Sequence, residues 1–147
     1  MSFLLVAQAR AALSDWEALR VARAGKNTAA PNFTLEDLNG QKVSLGDYRG
    51  QPVLLNFFKS CVPCSKQLPT IARAYREFRR KGLAVLAVNV FEGRKRAAAF
   101  VEGMNLNFPV LIDADGRAAS SYGQFGDPTT YLIDRDGRIV GKIYSGA

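Results

Sequence analysis

Apolar side chains along this chain follow two patterns, and the switch between them marks most of the elements. Val53 to Phe58 is a short, nearly continuous apolar run, and Leu83 to Val90 is a second. Runs of this length without alternation mark strands buried on both faces. From Ser65 the spacing turns helical, with Leu68, Ile71, Ala72, Tyr75 and Phe78 on one face. That helix is expected to reach Lys81, with Gly82 just past its end and a kink at Pro69. Arg94 to Gly103 reads as another helix, Phe108 to Ile112 as a short strand or extended segment, Asp113 to Gly116 as a turn, and Arg117 to Tyr122 as a short helix. Thr129 to Asp134 and Arg138 to Tyr144 form a closing hairpin around Arg135-Asp136-Gly137. Upstream, Pro31 to Leu35 and Gln41 to Leu45 are short strands joined at Asn39-Gly40, a strong hairpin signal. Val6, Ala9, Leu13, Trp16 and Leu19 or Arg20 keep helical spacing, which predicts a helix over residues 3–24, ended near Gly25 and followed by a linker from Lys26 to Pro31. Strands alternating with helices through short turns imply an α/β domain with right-handed crossovers and a sheet covered on both faces.

Length and composition refine this picture only slightly. A chain of 147 residues, 48% of them hydrophobic, can bury a core without disulfide staples. The expected organisation is an N-terminal helix and linker over residues 1–29 and one domain over residues 30–147. The net charge of +7 is concentrated in Arg73, Arg76, Arg79, Arg80 and Lys81 and in Arg94, Lys95 and Arg96. These fall on polar helix faces or ends without interleaved aromatics, so they read as a solvated surface with weak attraction to anionic membranes, not as a nucleic-acid site. The apolar run from Phe3 to Ala7 is too short for a signal peptide, and no basic residue precedes it. No stretch approaches the roughly 18 apolar residues of a spanning helix, so any membrane tether is expected outside this sequence.

The chemistry lies in the only two cysteines, Cys61 and Cys64, set where the first apolar run stops and the first helix begins. A helix N-terminus presents unpaired N–H groups and the positive end of its dipole, which favour a thiolate over a thiol. Cys61 is expected to be the exposed, attacking sulfur. Cys64, one turn on, is the buried resolving sulfur that would attack a mixed disulfide. The same spacing is half of a four-ligand zinc site, but with no histidine and no further cysteine that site cannot be completed. Two inert, buried cysteines are the other structural alternative.

From about Ala30 to Tyr144 the chain resembles thiol-disulfide oxidoreductases of the TlpA/ResA type in the thioredoxin-like superfamily. The resemblance rests on the hairpin, the strand-CxxC-helix junction, Val88-Asn-Val-Phe-Glu92 and Gly126-Asp-Pro-Thr-Thr-Tyr-Leu-Ile-Asp134. It implies a thioredoxin-like fold, a central mixed sheet flanked by helices, with an N-terminal β-hairpin and an extra N-terminal helix. Pro128 matches a proline that in the family follows a cis peptide bond and faces the cysteine pair. With Asp127, Thr129, and Lys59, Ser60, Val62 and Pro63 of the active-site turn, it is expected to dock the substrate backbone. Glu92 matches a buried glutamate beneath the pair, a candidate proton acceptor for Cys64. The resemblance implies no cofactor or metal, protein thiols and disulfides as partners, an upstream electron-donor protein, and an extracytoplasmic reductant role such as cytochrome c maturation. Composition alone is silent on compartment, since cytosolic and exported oxidoreductases share this cysteine usage.

Several positions depart from the family. Asp127 stands where an apolar or small hydroxyl residue is usual, and its charge would oppose ionisation of Cys61, whereas Lys59 would favour it. Ser60 stands where a tryptophan is common, in a turn one residue shorter. The chain stops after its last strand, where the family continues into a helix, so the helix over 3–24 is expected to cover that surface, in the same molecule or in a second copy. A peroxiredoxin-like thiol peroxidase is the competing enzyme reading, but Phe58 occupies the place of its threonine. A binding module that keeps only the fold is the non-enzymatic one.

Overall fold

The computed structural model describes residues 21–22, 28–124 and 128–144. Among them one mixed sheet contains β1 (Val21–Ala22), β2 (Thr28–Ala29), β3 (Thr34–Asp37), β4 (Lys42–Ser44), β5 (Val53–Phe58), β6 (Ala84–Val90), β7 (Val110–Asp113), β8 (Thr129–Ile133) and β9 (Arg138–Tyr144). The order across it is β1-β9-β8-β5-β6-β7-β3-β4, with β2 also on β9. Three α-helices accompany these strands: α1 (Val62–Phe78), α2 (Arg94–Val101) and α3 (Arg117–Ser121). The thioredoxin-like arrangement expected from the sequence is therefore the one observed.

The two apolar runs form the centre because they can be buried on both sides. Every residue of β5 and β6 is buried, and the two pair in parallel from Val53↔Ala84 to Phe58↔Asn89. Their alternate residues separate two cores. Leu54, Phe58, Val85 and Ala87 pack with Cys64, Leu68, Ile71 and Ala72 of α1. Val53, Leu55, Phe57, Leu86 and Val88 pack on the other face with Phe33, Leu45, Tyr131 and Ala118 and Ala119 of α3. Leu54, Leu55, Leu68 and Leu86 are fully buried, so truncating any one to alanine is expected to cost about 2–5 kcal/mol.

Capping sets the ends of α1. Pro63 sits in its first turn, where a missing N–H costs nothing, and Pro69 lies inside it, removing the N–H that would bond the Ser65 carbonyl. The last turn tightens to a 3-10 turn over Arg79–Lys81 and closes on Gly82 at φ 96°, which a side chain would disfavour. Arg73, Arg76, Arg79, Arg80 and Lys81 are all exposed, as a solvated face requires.

Both sheet edges carry N-terminal chain. The β3–β4 hairpin docks on β7 through Glu36↔Ile112 and Asp37↔Leu111. At the other edge, β1 pairs with β9 at Val21↔Ile143, and β2 at Thr28↔Ile139. The sequence placed Val21 and Ala22 in the last turn of a helix, and Thr28 and Ala29 in a linker. They are extended instead, because the outer edge of β9 offers backbone partners that local spacing cannot reveal. The rest of the predicted N-terminal helix, residues 3–20 and 23–24, lies outside the described residues. Among the described residues no helix is long and apolar enough to cross a membrane.

Candidate active site

The cysteine pair stands where β5 gives way to α1. Cys61 is the N-cap of the helix, extended at φ −127° and ψ 158°, and its Sγ accepts a hydrogen bond from Cys64 N at 3.1 Å. Cys61 and Cys64 form a disulfide, with Cα atoms 5.1 Å apart. Cys64 is completely buried against Phe58 and Leu68, whereas Cys61 keeps solvent contact. The first turn of α1 holds no acidic residue, so no carboxylate there works against negative charge on Cys61. An incoming thiolate therefore finds the Cys61 sulfur the accessible one. The Cys64 N–H and the N-terminal end of α1 both face the Cys61 sulfur.

Around Cys61, Val62 and Pro63 are exposed and Lys59 and Ser60 half-buried. Lys59 places its ammonium 5.1 Å from the ring centroid of Phe91. Ser60 is tied to Glu92, whose Oε1 accepts from Ser60 N at 2.6 Å, Ser60 Oγ at 3.0 Å and Asn89 Nδ2 at 3.0 Å. Its Oε2 pairs with Arg96 Nε at 3.0 Å. The Glu92 side chain is 10% exposed, so the carboxylate is buried in the turn that delivers Cys61. Among the described residues its bonded partners are Ser60, Asn89 and Arg96, not a sulfur.

Pro128 is buried, and Thr129 lies opposite Phe57 in the β5–β8 ladder. The Thr129 hydroxyl donates to Gln124 Oε1 at 2.7 Å, on the α3 side of the sheet, so its side chain points away from α1. Asp127 and the Asp127–Pro128 peptide bond lie outside the described residues. Phe58, at the place of a peroxidase threonine, is 1% exposed and stacked on Phe100 at 6.0 Å, which leaves no hydroxyl beside Cys61 from that position.

Sequence reading did not single out the amides beneath α1. Asn56 is fully buried on β5 and donates from Nδ2 to Gln67 Oε1 at 3.0 Å and to Thr130 Oγ1 at 2.9 Å. Gln67 lies one turn beyond Cys64. Asn56 Oδ1 and Asn89 Oδ1 have no hydrogen-bond partner among the described residues. The available signal was a lone amide inside each apolar strand run.

The profile of the AhpC/TSA family matches residues 27–142. Thiol-disulfide oxidoreductase ResA from Bacillus subtilis is 40% identical over 118 residues, covering 80% of this chain and 65% of that protein. This chain thus spans just under two thirds of that relative's length. ResA from Geobacillus thermodenitrificans is 40% identical over 120 residues, covering 81% of this chain and 68% of its own. Among solved structures, the thioredoxin domain of a thiol-disulfide oxidoreductase from Bacteroides vulgatus superposes with a TM-score of 0.76 at 28% identity, covering 84% of this chain and 91% of that one.

Proposed function

The chain belongs to the AhpC/TSA family, and from that membership, taken with the disulfide at the start of α1, we propose that it is a thiol-disulfide oxidoreductase acting on protein thiols and disulfides. The observation that carries this reading is the asymmetry of the pair: one sulfur reachable at a helix N-terminus, its partner sealed in the core. In the reducing direction, the Cys61 thiolate attacks a substrate disulfide, forming a mixed disulfide and expelling one substrate thiolate. Cys64 then attacks the Cys61 sulfur and releases the second, leaving the Cys61–Cys64 disulfide and a substrate reduced by two electrons. Each cycle leaves the pair oxidised, so a reductant role needs an upstream protein dithiol to restore it.

Glu92 is the carboxylate we assign to proton transfer at Cys64, supported by its burial in the turn that carries Cys61. Pro128, with Asp127, the backbone of Thr129, Lys59, Ser60, Val62 and Pro63, is assigned to the substrate-facing surface. The exposure of Val62 and Pro63 beside Cys61 supports it for the turn. An extracytoplasmic role as reductant, such as in cytochrome c maturation, with a tether outside this sequence, completes the reading; the expected boundary between residues 29 and 30 is not kept, since β1 and β2 belong to the sheet. The thiol-disulfide exchange within that role is supported by the resemblance to thiol-disulfide oxidoreductase ResA.

Trapping tests the assignment. A Cys64→Ser variant should hold a substrate as a mixed disulfide that reductant dissolves, while Cys61→Ser should hold none. If neither variant traps a partner and the reduced wild type fails to reduce hydroxyethyl disulfide, the oxidoreductase reading is wrong.

A further inference from the structure

Beside the active-site turn, Phe91 directly follows β6 with φ 67°, a left-handed conformation that a bulky side chain holds only when its surroundings fix it. Two neighbours do so. The ring lies against Gly116, itself at φ 73°, where an added Cβ would collide with Phe91 Cε1 and Cζ. The Lys59 ammonium stands over the ring, 5.1 Å from its centroid. Yet the residue stays 46% exposed, and Val62, directly after Cys61, is 70% exposed. Scattered surface hydrophobics are ordinary. A ring seated in a glycine-lined notch, on a backbone conformation that disfavours it, and one residue from the Ser60–Glu92 contact is not scattered.

We propose that Phe91 and Val62 form an apolar docking surface that selects substrate segments carrying an apolar side chain next to the reacting cysteine. The proposal rests on the oxidoreductase reading and deepens it. When the Cys61 thiolate attacks a substrate disulfide, the new sulfur–sulfur bond fixes the substrate cysteine at Cys61, so its flanking residues must lie against the surface around the turn. The expelled sulfur leaves as thiolate and takes a proton from solvent. Cys64, having given up its own proton, displaces the second substrate sulfur and forms the Cys61–Cys64 disulfide. An apolar neighbour of the substrate cysteine loses water against Phe91 or Val62, whereas a polar one gains nothing there.

Three probes test this: two peptides of equal length, each a symmetric disulfide through one cysteine flanked by leucine or by serine, and hydroxyethyl disulfide, which has no chain to dock. Reduced wild type should reduce the leucine peptide about fivefold faster than the serine peptide. Phe91→Gly suits the left-handed backbone, and Phe91→Asn tolerates it without glycine's freedom. Both should bring the two peptides within about twofold while leaving the hydroxyethyl disulfide rate unchanged. A preference that survives in both variants, or is absent from wild type, overturns the proposal. Equal loss on all three probes in the variants also overturns it, since Phe91 would then be shaping the turn and not docking substrate. Wild-type inactivity on every probe removes the oxidoreductase reading, and this inference with it.

Discussion

On the α3 face of the central strands, polar groups are closed into bonds within a ring cluster. Phe57 and Tyr122 centroids lie 5.2 Å apart, Tyr122 and Tyr131 5.1 Å, and Phe33 and Tyr122 6.4 Å. The Tyr122 hydroxyl donates to Pro31 O at 2.7 Å, Tyr131 to Tyr122 O at 3.1 Å, and Asp113 Oδ2 accepts from Ala119 N at 2.9 Å. On the α1 face of the same strands, the fully buried Asn56 and Asn89 each keep an amide oxygen with no partner among the described residues. An unpaired buried acceptor costs about 1–3 kcal/mol. Both lie on the side of the sheet that carries the cysteine helix. Both faces bury an apolar core, but polar groups are closed on one, and the other carries the cysteines with two open amide oxygens, so an amide inside a strand need not be there to hold the fold.

The largest effects should separate the two faces. Cys61→Ser is expected to lower reduction of hydroxyethyl disulfide by about a thousandfold or more while leaving the melting temperature near that of the reduced wild type. Phe57→Ala should do the reverse: Phe57 is 1% exposed, so the cavity would cost about 3–5 kcal/mol, while turnover per folded molecule stays within about twofold. Matched thermal melts and rate assays check the pair. If Phe57→Ala slows exchange as strongly as it destabilises, the faces are coupled and the division fails.

Glu92 sharpens the contrast within the α1 side. Glu92→Gln keeps an oxygen that can accept from Ser60 N, and it loses only the pair to Arg96, whose side chain is 70% exposed. A pair so open to solvent contributes little stability. Exchange should slow by about tenfold or more, with its pH profile altered, because general acid–base groups contribute at least that much. Unchanged rates between about pH 6 and 9, with an intact fold, would reduce Glu92 to a structural tie for the turn.

Periodicity and capping made the elements legible. Val53 to Phe58, Leu83 to Val90 and the helical spacing from Leu68 to Phe78 announced β5, β6 and α1, and Asn39-Gly40 announced the hairpin. Cys61 and Cys64 stood out because no other cysteine or histidine competes with them. What stayed hidden depends on distant partners. Val21 and Ala22 are extended only because β9 presents a free edge, and nothing within ten residues of them says so. Phe91 is left-handed only because Gly116, 25 positions later, leaves room for its ring. Asn56 and Asn89 were visible as interruptions in apolar runs, but which oxygen lacks a donor follows from the packing of Gln67, Thr130 and Glu92.

The smallest expected effect lies on the closed face and shows itself mainly at high pH. Burial, and to a lesser extent the neighbouring Tyr131, pushes the Tyr122 phenol above the usual tyrosine value. Its proton is committed to Pro31 O, so the fold needs the neutral form. Below about pH 10 the phenol is protonated in both folded and unfolded chains, and stability does not depend on it. Above about pH 10 the unfolded chain loses this proton first, so it binds fewer protons than the folded chain and stability falls as pH rises. The slope can reach about 1.4 kcal/mol per pH unit for one such group, and less here because Tyr122 keeps partial solvent contact. Tyr48 is also raised, by burial first and then by Asp47 and Tyr75, so some fall should persist without Tyr122. Tyr122→Phe is therefore expected to cost about 1 kcal/mol near neutral pH, a few degrees of melting temperature, and to flatten the alkaline decline. Urea midpoints from about pH 7 to 11 measure both. A variant whose alkaline decline is as steep as that of wild type would show that Tyr122 ionises in the folded protein as it does in the unfolded chain, and the closed face would not be closed at that hydroxyl.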